Sequence, residues 1–246
     1  MELPNFKNRH GERINSAFHP GKREDLLVVL GHGVTGNMDR PLMVAVAEQL
    51  SQAGWPCLRI SFSGNGESEG KFEDSTVSKE CEDLSDVLDQ LPDGVRVAYC
   101  GHSMGGAVGL KSAADPRIEV LVSLAGMVRT ALFCETEFGD QTPGSGFMWD
   151  EKDCPLSQAF VDDMKQIGDL LDEAGKLTKP YLLIHGTADD VVLPADSIDA
   201  FEAAQGPKHL LEIDGAEHSF DDESYPELVS AIDEWLSEHL ESSSPR

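Results

Sequence analysis

Long apolar runs are missing from this sequence of 246 residues, and none approaches the roughly 20 consecutive apolar residues that a membrane-spanning helix requires. The first residues, Met1, Glu2, Leu3, Pro4, Asn5, Phe6 and Lys7, lack the apolar stretch and small-residue cleavage site of a secretory signal. On that basis the chain is expected in the cytoplasm, without membrane insertion. Basic residues are scarce: 19 Lys and Arg stand against 45 Asp and Glu, a formal net charge of −26. A polyanion of that size excludes nucleic acid and anionic membrane surfaces as expected partners. Cysteine is also sparse, with five residues, an odd number, and no CxxC pair. That pattern argues against a disulfide framework and against a zinc site, and fits a reducing compartment. No internal repeat is visible, and the only low-complexity stretch is the serine-rich end at 241–246.

What remains is a repeating rhythm of short apolar run, glycine-rich turn and longer amphipathic stretch. The apolar runs lie at residues 26–30, 57–62, 95–100, 120–124, 181–184 and 209–213. They are continuous rather than alternating, as strands buried on both faces of a parallel sheet require. Helical segments are expected at about 41–53, 76–91, 104–113, 195–204 and 226–240, with Thr76 as a helix start. Strand–helix alternation implies a doubly wound α/β sheet. The first two dozen residues read as an antiparallel hairpin at its edge. Residues 127–178 break the rhythm with turn formers and the aromatics Phe133, Phe138, Phe147, Trp149 and Phe160. An excursion this long is often functional, and it reads as a lid, with Phe133, Phe147 and Trp149 as candidate pocket residues.

The chemistry concentrates after three strands. Gly101-His102-Ser103-Met104-Gly105 follows the third run and opens a helix, the context in which G-x-S-x-G forms a nucleophile elbow. The turn is too sharp for side chains at its glycine positions, and it leaves a helix N-terminus facing the attacked group. A serine hydroxyl needs a positioned base. His218, between the last strand and the last helix, is that candidate, ahead of His102 beside the serine and of His185 at a strand end. The base needs a carboxylate to fix its tautomer, and Asp189 and Asp190 both lie just beyond a strand. An oxyanion requires donors: the N–H of Met104 after the serine, and that of Val34 in the loop Gly31-His32-Gly33-Val34-Thr35-Gly36. That loop has G-x-G-x-x-G spacing but lacks the acidic residue about 20 positions on that a dinucleotide site uses.

With these motifs assembled, the chain resembles the α/β-hydrolase superfamily. It is most similar to the small-lidded group of cinnamoyl/feruloyl esterases, monoacylglycerol-lipase-like enzymes and serine aminopeptidases of the S33 type. The residues that carry the resemblance are Leu30-Gly31-His32-Gly33, Phe62-Ser63-Gly64-Asn65-Gly66-Glu67-Ser68, Gly101 to Gly106, His185-Gly186-Thr187-Ala188-Asp189 and Gly215 to Phe220. Asn65 departs from the histidine that the group usually shows between those glycines. The resemblance implies an α/β-hydrolase fold with a mostly parallel sheet of about eight strands. It also implies one domain over 1–246, with the lid inserted at about 127–178, and Asp189 rather than Asp190 as the acid. The expected activity is cleavage of a small-molecule carboxylic ester through an acyl-enzyme on Ser103, with no metal and no organic cofactor. Thioesterase, amidase or peptidase chemistry on the same Ser103, Asp189 and His218 is the alternative, as is a slow-turnover ligand-binding protein on this scaffold. No feature of the sequence marks an oligomer interface.

Overall fold

The computed structural model describes residues 1–240; the serine-rich end at 241–246 lies outside the described residues. Seven strands form the sheet among them: β1 (Ser16–His19), β2 (Leu26–Gly31), β3 (Cys57–Ile60), β4 (Arg96–His102), β5 (Ile118–Leu124), β6 (Tyr181–Gly186) and β7 (Lys208–Ile213). Their order is β1-β3-β2-β4-β5-β6-β7. Only β1 is antiparallel to its neighbour, with Ser16 opposite Ile60; the other pairs are parallel.

Seven strands agree with the expectation of about eight, and the N-terminal residues supply the antiparallel edge strand β1. Residues 6–14 fold back on themselves outside the sheet, with an antiparallel bridge from Lys7 to Arg13 and bonds from Asn8 N to Glu12 O at 2.9 Å and from Ile14 N to Phe6 O at 3.0 Å. The segment at 7–13 is polar and also binds a helix: Asn8 Nδ2 donates to Asp83 Oδ1 at 2.8 Å, and the Arg9 backbone N–H donates to Asp86 Oδ2 at 2.7 Å.

Eight helices flank the sheet among the described residues: α1 (Pro41–Ala53), α2 (Val77–Asp89), α3 (Met104–Ser112), α4 (Thr130–Phe138), α5 (Gln158–Ile167), α6 (Leu171–Lys176), α7 (Pro194–Ala203) and α8 (Tyr225–Leu240). Local chemistry fixes several ends. Pro41 stands in the first turn of α1, where its missing N–H costs nothing. Thr76 caps α2 by accepting the Lys79 N–H at 3.1 Å.

Alternation along the strands sorts the core into two layers. Leu27, Val29, Val97, Tyr99 and Leu183 face α2, α3, α7 and the inserted helices. Leu26, Val28, Leu30, Ala98, Val122 and Ile184 face α1 and α8. Burying each of the Leu, Val and Ile side chains contributes roughly 1.5–3 kcal/mol, which is why the inner strands read as unbroken apolar runs. The insertion at 127–178 holds α4, α5 and α6 and a 3₁₀ turn, Met148–Asp150. Its aromatics make a core of their own, with Phe138 in edge contact with Trp149 and Phe160 at 5.0 and 6.1 Å between centroids.

From β2 the chain passes to β3 on one side, and β4 lies on the other. Order therefore reverses between β2 and β4. A crevice opens outside the carboxyl ends of strands at such a point, and Gly31 and His102 end the two strands there.

Candidate active site

Ser103 sits where β4 turns into α3, with φ 55° and ψ −119°. A non-glycine residue seldom adopts that conformation, and where one does the surrounding structure must hold it. Here the Ser103 N–H donates to Leu124 O at 3.0 Å, and Ser103 O accepts from Gly106 N at 2.9 Å and Met127 N at 3.0 Å. The turn thereby becomes part of the β5 edge. Its glycines are a matter of space: a Cβ on Gly101 would stand 2.1 Å from Gly105 O, and one on Gly105 would stand 2.5 Å from Gly31 O.

The loop after β2 crosses directly over the serine. A Cβ on Gly33 would lie 2.7 Å from Ser103 Cβ and 3.1 Å from its Oγ. His32 pins this loop to the next one: its Nδ1 donates to Gly33 O at 2.8 Å, and its Nε2 accepts from Phe62 N at 3.0 Å. Both ring nitrogens are engaged as a neutral imidazole, and burial pushes its pKa down to about 4. Val34 lines the cavity beside the serine. Met104 is the first residue of α3, so its N–H has no acceptor within the helix.

The loops after β6 and β7 are stitched together by Thr187 N to Ile213 O and Ala188 N to Ala216 O, both at 3.0 Å. This stitching brings Asp189 to His218, whose Nδ1 donates to Asp189 Oδ2 at 2.8 Å. The other carboxylate oxygen accepts from Val191 N at 2.9 Å and Val192 N at 3.0 Å. His185 lies behind, its Nε2 3.2 Å from Asp189 Oδ2 and its Nδ1 2.6 Å from Ser197 Oγ. Burial opposes the charge on Asp189, but the bonds from His185 and His218 outweigh it and hold the carboxyl well below the usual carboxylate range. Asp190, by contrast, is exposed and makes no bond to His218.

Ser103, His218 and His102 line one cavity of about 570 Å³, with Val34, Arg40, Trp149, Phe220 and Tyr225 among its other walls. A buried carboxylate holding an imidazole, in a site with a serine on a strained turn beneath the loop after β2, can carry out nucleophilic attack on an acyl carbon. Among the described residues no group of three or more His, Cys, Asp or Glu is arranged to hold a metal ion. No helix there is long and apolar enough to cross a membrane.

Of the three aromatic residues expected in the pocket, the cavity takes only Trp149. Phe133 is buried in α4 against Phe138 and Trp149, with centroids at 6.0 and 6.3 Å, and lines a separate hollow of about 230 Å³. Phe147 is turned outward, 40% exposed, on a bridge to Pro155. Sequence reasoning passed over Arg40 and Tyr225, which precede and open helices that border the cavity. Nothing in the residues next to them signals a pocket wall, since the sheet topology alone brings them there.

Residues 22–138 match the family described as serine aminopeptidase, S33. Human palmitoyl-protein thioesterase ABHD10, mitochondrial, is 32% identical over 124 residues, which are 50% of this chain and only 40% of that protein. The chain thus spans less than half the length of that curated relative. The Est1E structure from Butyrivibrio proteoclasticus with ferulic acid bound superposes with a TM-score of 0.85 at 26% identity, covering 96% of this chain and 99% of that one. Alpha/beta hydrolase domain-containing protein 10 from mouse superposes with a TM-score of 0.78 at 20% identity, covering 97% and 99%.

Proposed function

We propose that this chain, an α/β-hydrolase by fold, is a serine hydrolase that cleaves small-molecule carboxylic esters through an acyl-enzyme on Ser103. The observation that carries the reading is the hydrogen bond to the buried Asp189 from Nδ1 of His218, a residue that lines the same cavity as Ser103. In this scheme His218 takes the Ser103 proton through Nε2 as Oγ attacks the acyl carbon. Asp189 keeps the other nitrogen protonated and stabilises the imidazolium. The N–H groups of Val34 and Met104 receive the developing oxyanion. His218 then returns the proton to the leaving alcohol, and a water molecule activated by the same imidazole releases the acid.

The similarity to Est1E, whose solved complex holds ferulic acid, supports ester cleavage. Thioester cleavage is the second reading, favoured by the similarity to a protein named as a palmitoyl-protein thioesterase. The same reading treats the chain as one domain whose segment 127–178 acts as a lid through Trp149.

The test is hydrolysis of p-nitrophenyl esters from acetate to laurate, with wild type beside Ser103→Ala. Turnover abolished by the substitution supports the reading; turnover that survives it removes Ser103 as nucleophile. Matched acyl thioesters distinguish the second reading by their kcat/KM relative to the oxygen esters.

A further inference from the structure

Among the described residues seventeen line the cavity at Ser103, and none of them is Asp or Glu, in a chain in which 45 of 246 residues are. One Arg or Lys lines it: Arg40. The remaining polar side chains are histidines, hydroxyls including that of Tyr225, and Trp149, whose indole N–H donates to Glu137 at 2.8 Å. A chain of net charge −26 therefore reserves, around its nucleophile, a lining whose permanent formal charge is a single positive one.

Arg40 also differs in its company from five of the other arginines. Arg9, Arg59, Arg96, Arg117 and Arg129 all lie within ion-pair distance of carboxylates. Among the described residues no carboxylate pairs with Arg40. Its neighbour in sequence, Asp39, is engaged by Arg59 at 3.1 Å. The guanidinium makes one hydrogen bond, Nη2 to Thr35 O at 2.9 Å, which anchors it to the loop that crosses over Ser103. Four of the five N–H donors of its planar fork remain for another group, and that fork matches the oxygens of a carboxylate or phosphate.

We infer that Arg40 is a specificity-determining residue that selects esters carrying an anionic oxygen group, carboxylate or phosphate, away from the scissile bond. The inference rests on the ester-hydrolase reading and deepens it by naming a substrate class. An anionic ester meets the one permanent cation of the lining and no permanent anion there. A cationic ester meets no carboxylate in that lining.

The experiment compares matched pairs of esters. For charge on the acyl side, p-nitrophenyl hemiadipate is set against p-nitrophenyl hexanoate. For charge on the alcohol side, 4-carboxyphenyl acetate and 4-acetoxyphenyl phosphate are each set against 4-methylphenyl acetate. The quantity read is the ratio of kcat/KM, anionic over neutral, in wild type, Arg40→Gln and Arg40→Lys. In at least one pair Arg40→Gln lowers that ratio by about ten- to hundredfold, as expected for loss of a hydrogen bond between charged groups. The loss falls mainly on KM, and Arg40→Lys restores part of it. The responding pair identifies the side that carries the charge and whether it is carboxylate or phosphate. Equal ratios in wild type and Arg40→Gln for every pair overturn the inference, including the case where both esters slow together because Arg40 only holds Thr35. Wild type inactive on every ester overturns the ester-hydrolase reading itself, a result distinct from equal ratios.

Discussion

The imidazoles of His102 and His218 stand 4.9 Å apart, and His102 Nε2 donates to the backbone carbonyl oxygen of His218 at 2.9 Å. The residue next to the serine thus holds the loop that carries the proposed base. Burial, with the proximity of His218 second, pushes the His102 pKa down to about 3, so its ring is neutral. A neutral neighbour leaves room for the positive charge that His218 acquires as it accepts the serine proton.

His102→Ala should therefore lower kcat on a short neutral ester by about fivefold, with little change in KM, because a positioning bond worth about 1 kcal/mol is lost. His102→Gln, whose amide can donate to the same carbonyl, should recover much of the rate. Steady-state kinetics on p-nitrophenyl butyrate check this. Loss in KM alone would contradict it.

Asp189→Asn removes the charge that two histidines share while preserving shape. In the proposed scheme kcat falls by on the order of 10³–10⁴-fold, as it does when a triad acid is neutralised and the imidazole tautomer is no longer held. Asp190→Asn, at an exposed residue, should change kcat less than twofold. Comparable losses in both variants would count against Asp189 as the acid.

The insertion offers a sharper contrast than its composition suggests. Trp149→Ala should shift the acyl-chain optimum of the ester series, since Trp149 walls the cavity, whereas Phe147→Ala should leave it in place. Chain-length profiles of the two variants and wild type decide this.

Stability against pH has a clean probe in Glu80. Burial, and then the nearby charge of Asp83, raise its pKa well above the ordinary value, and its Oε2 has no hydrogen-bond partner. The fold therefore keeps a proton that the unfolded chain releases above about pH 4.5. That proton's contribution is fully present below the unfolded pKa and is lost as pH rises towards the raised one. Glu80→Gln avoids this loss. Its stability relative to wild type should improve by up to about 1.4 kcal/mol per pH unit above pH 4.5 until the raised pKa is reached. Urea midpoints of both proteins from pH 4.5 to 8 measure it, and parallel curves would exclude a protonated Glu80.

Two glycines test the reading of space against freedom. Gly105→Ala drives a methyl into the backbone of the β2 loop and should cost about 3 kcal/mol or more. Gly175→Ala lies within α6 with nothing within 4 Å of the new Cβ, and should add about 0.5–1 kcal/mol. Thermal unfolding of the two variants beside wild type checks both signs.

How much of this was legible in the sequence depends on how local each signal is. Ser103 was legible because its glycines record a steric demand within five residues. Strands β2 to β6 were legible because burial on both faces writes apolar runs, whereas β7, at the sheet edge, is only partly buried and carries His209 and Glu212. Asp189 and Asp190 could not be separated by position, since the difference lies in backbone stitching between the β6 and β7 loops. Phe133 and Phe147 were misassigned because aromatic composition marks a core without saying whose core it is: Phe133 packs the insertion itself. The first two dozen residues suggested an antiparallel hairpin at the sheet's edge, where β1 lies, but not that Asn8 and Arg9 bond Asp83 and Asp86 on a helix more than seventy residues away. His102 was set aside as a base, and its ring was found against His218 only because β4 and the loop after β7 converge.

The order of these pieces along the chain has a consequence for biosynthesis. The strained turn at Ser103 and the loop crossing over it belong to the first half of the polypeptide, whereas Asp189 and His218 follow the insertion. A ribosome therefore delivers the proposed nucleophile early and its activating partners late. Until β6 and β7 have joined the sheet, the growing chain carries a serine with no base to disarm it of its proton. The proposed hydrolase is thus unarmed through most of its own synthesis, and a chain cut short before the last strand is chemically idle even where its first half has folded.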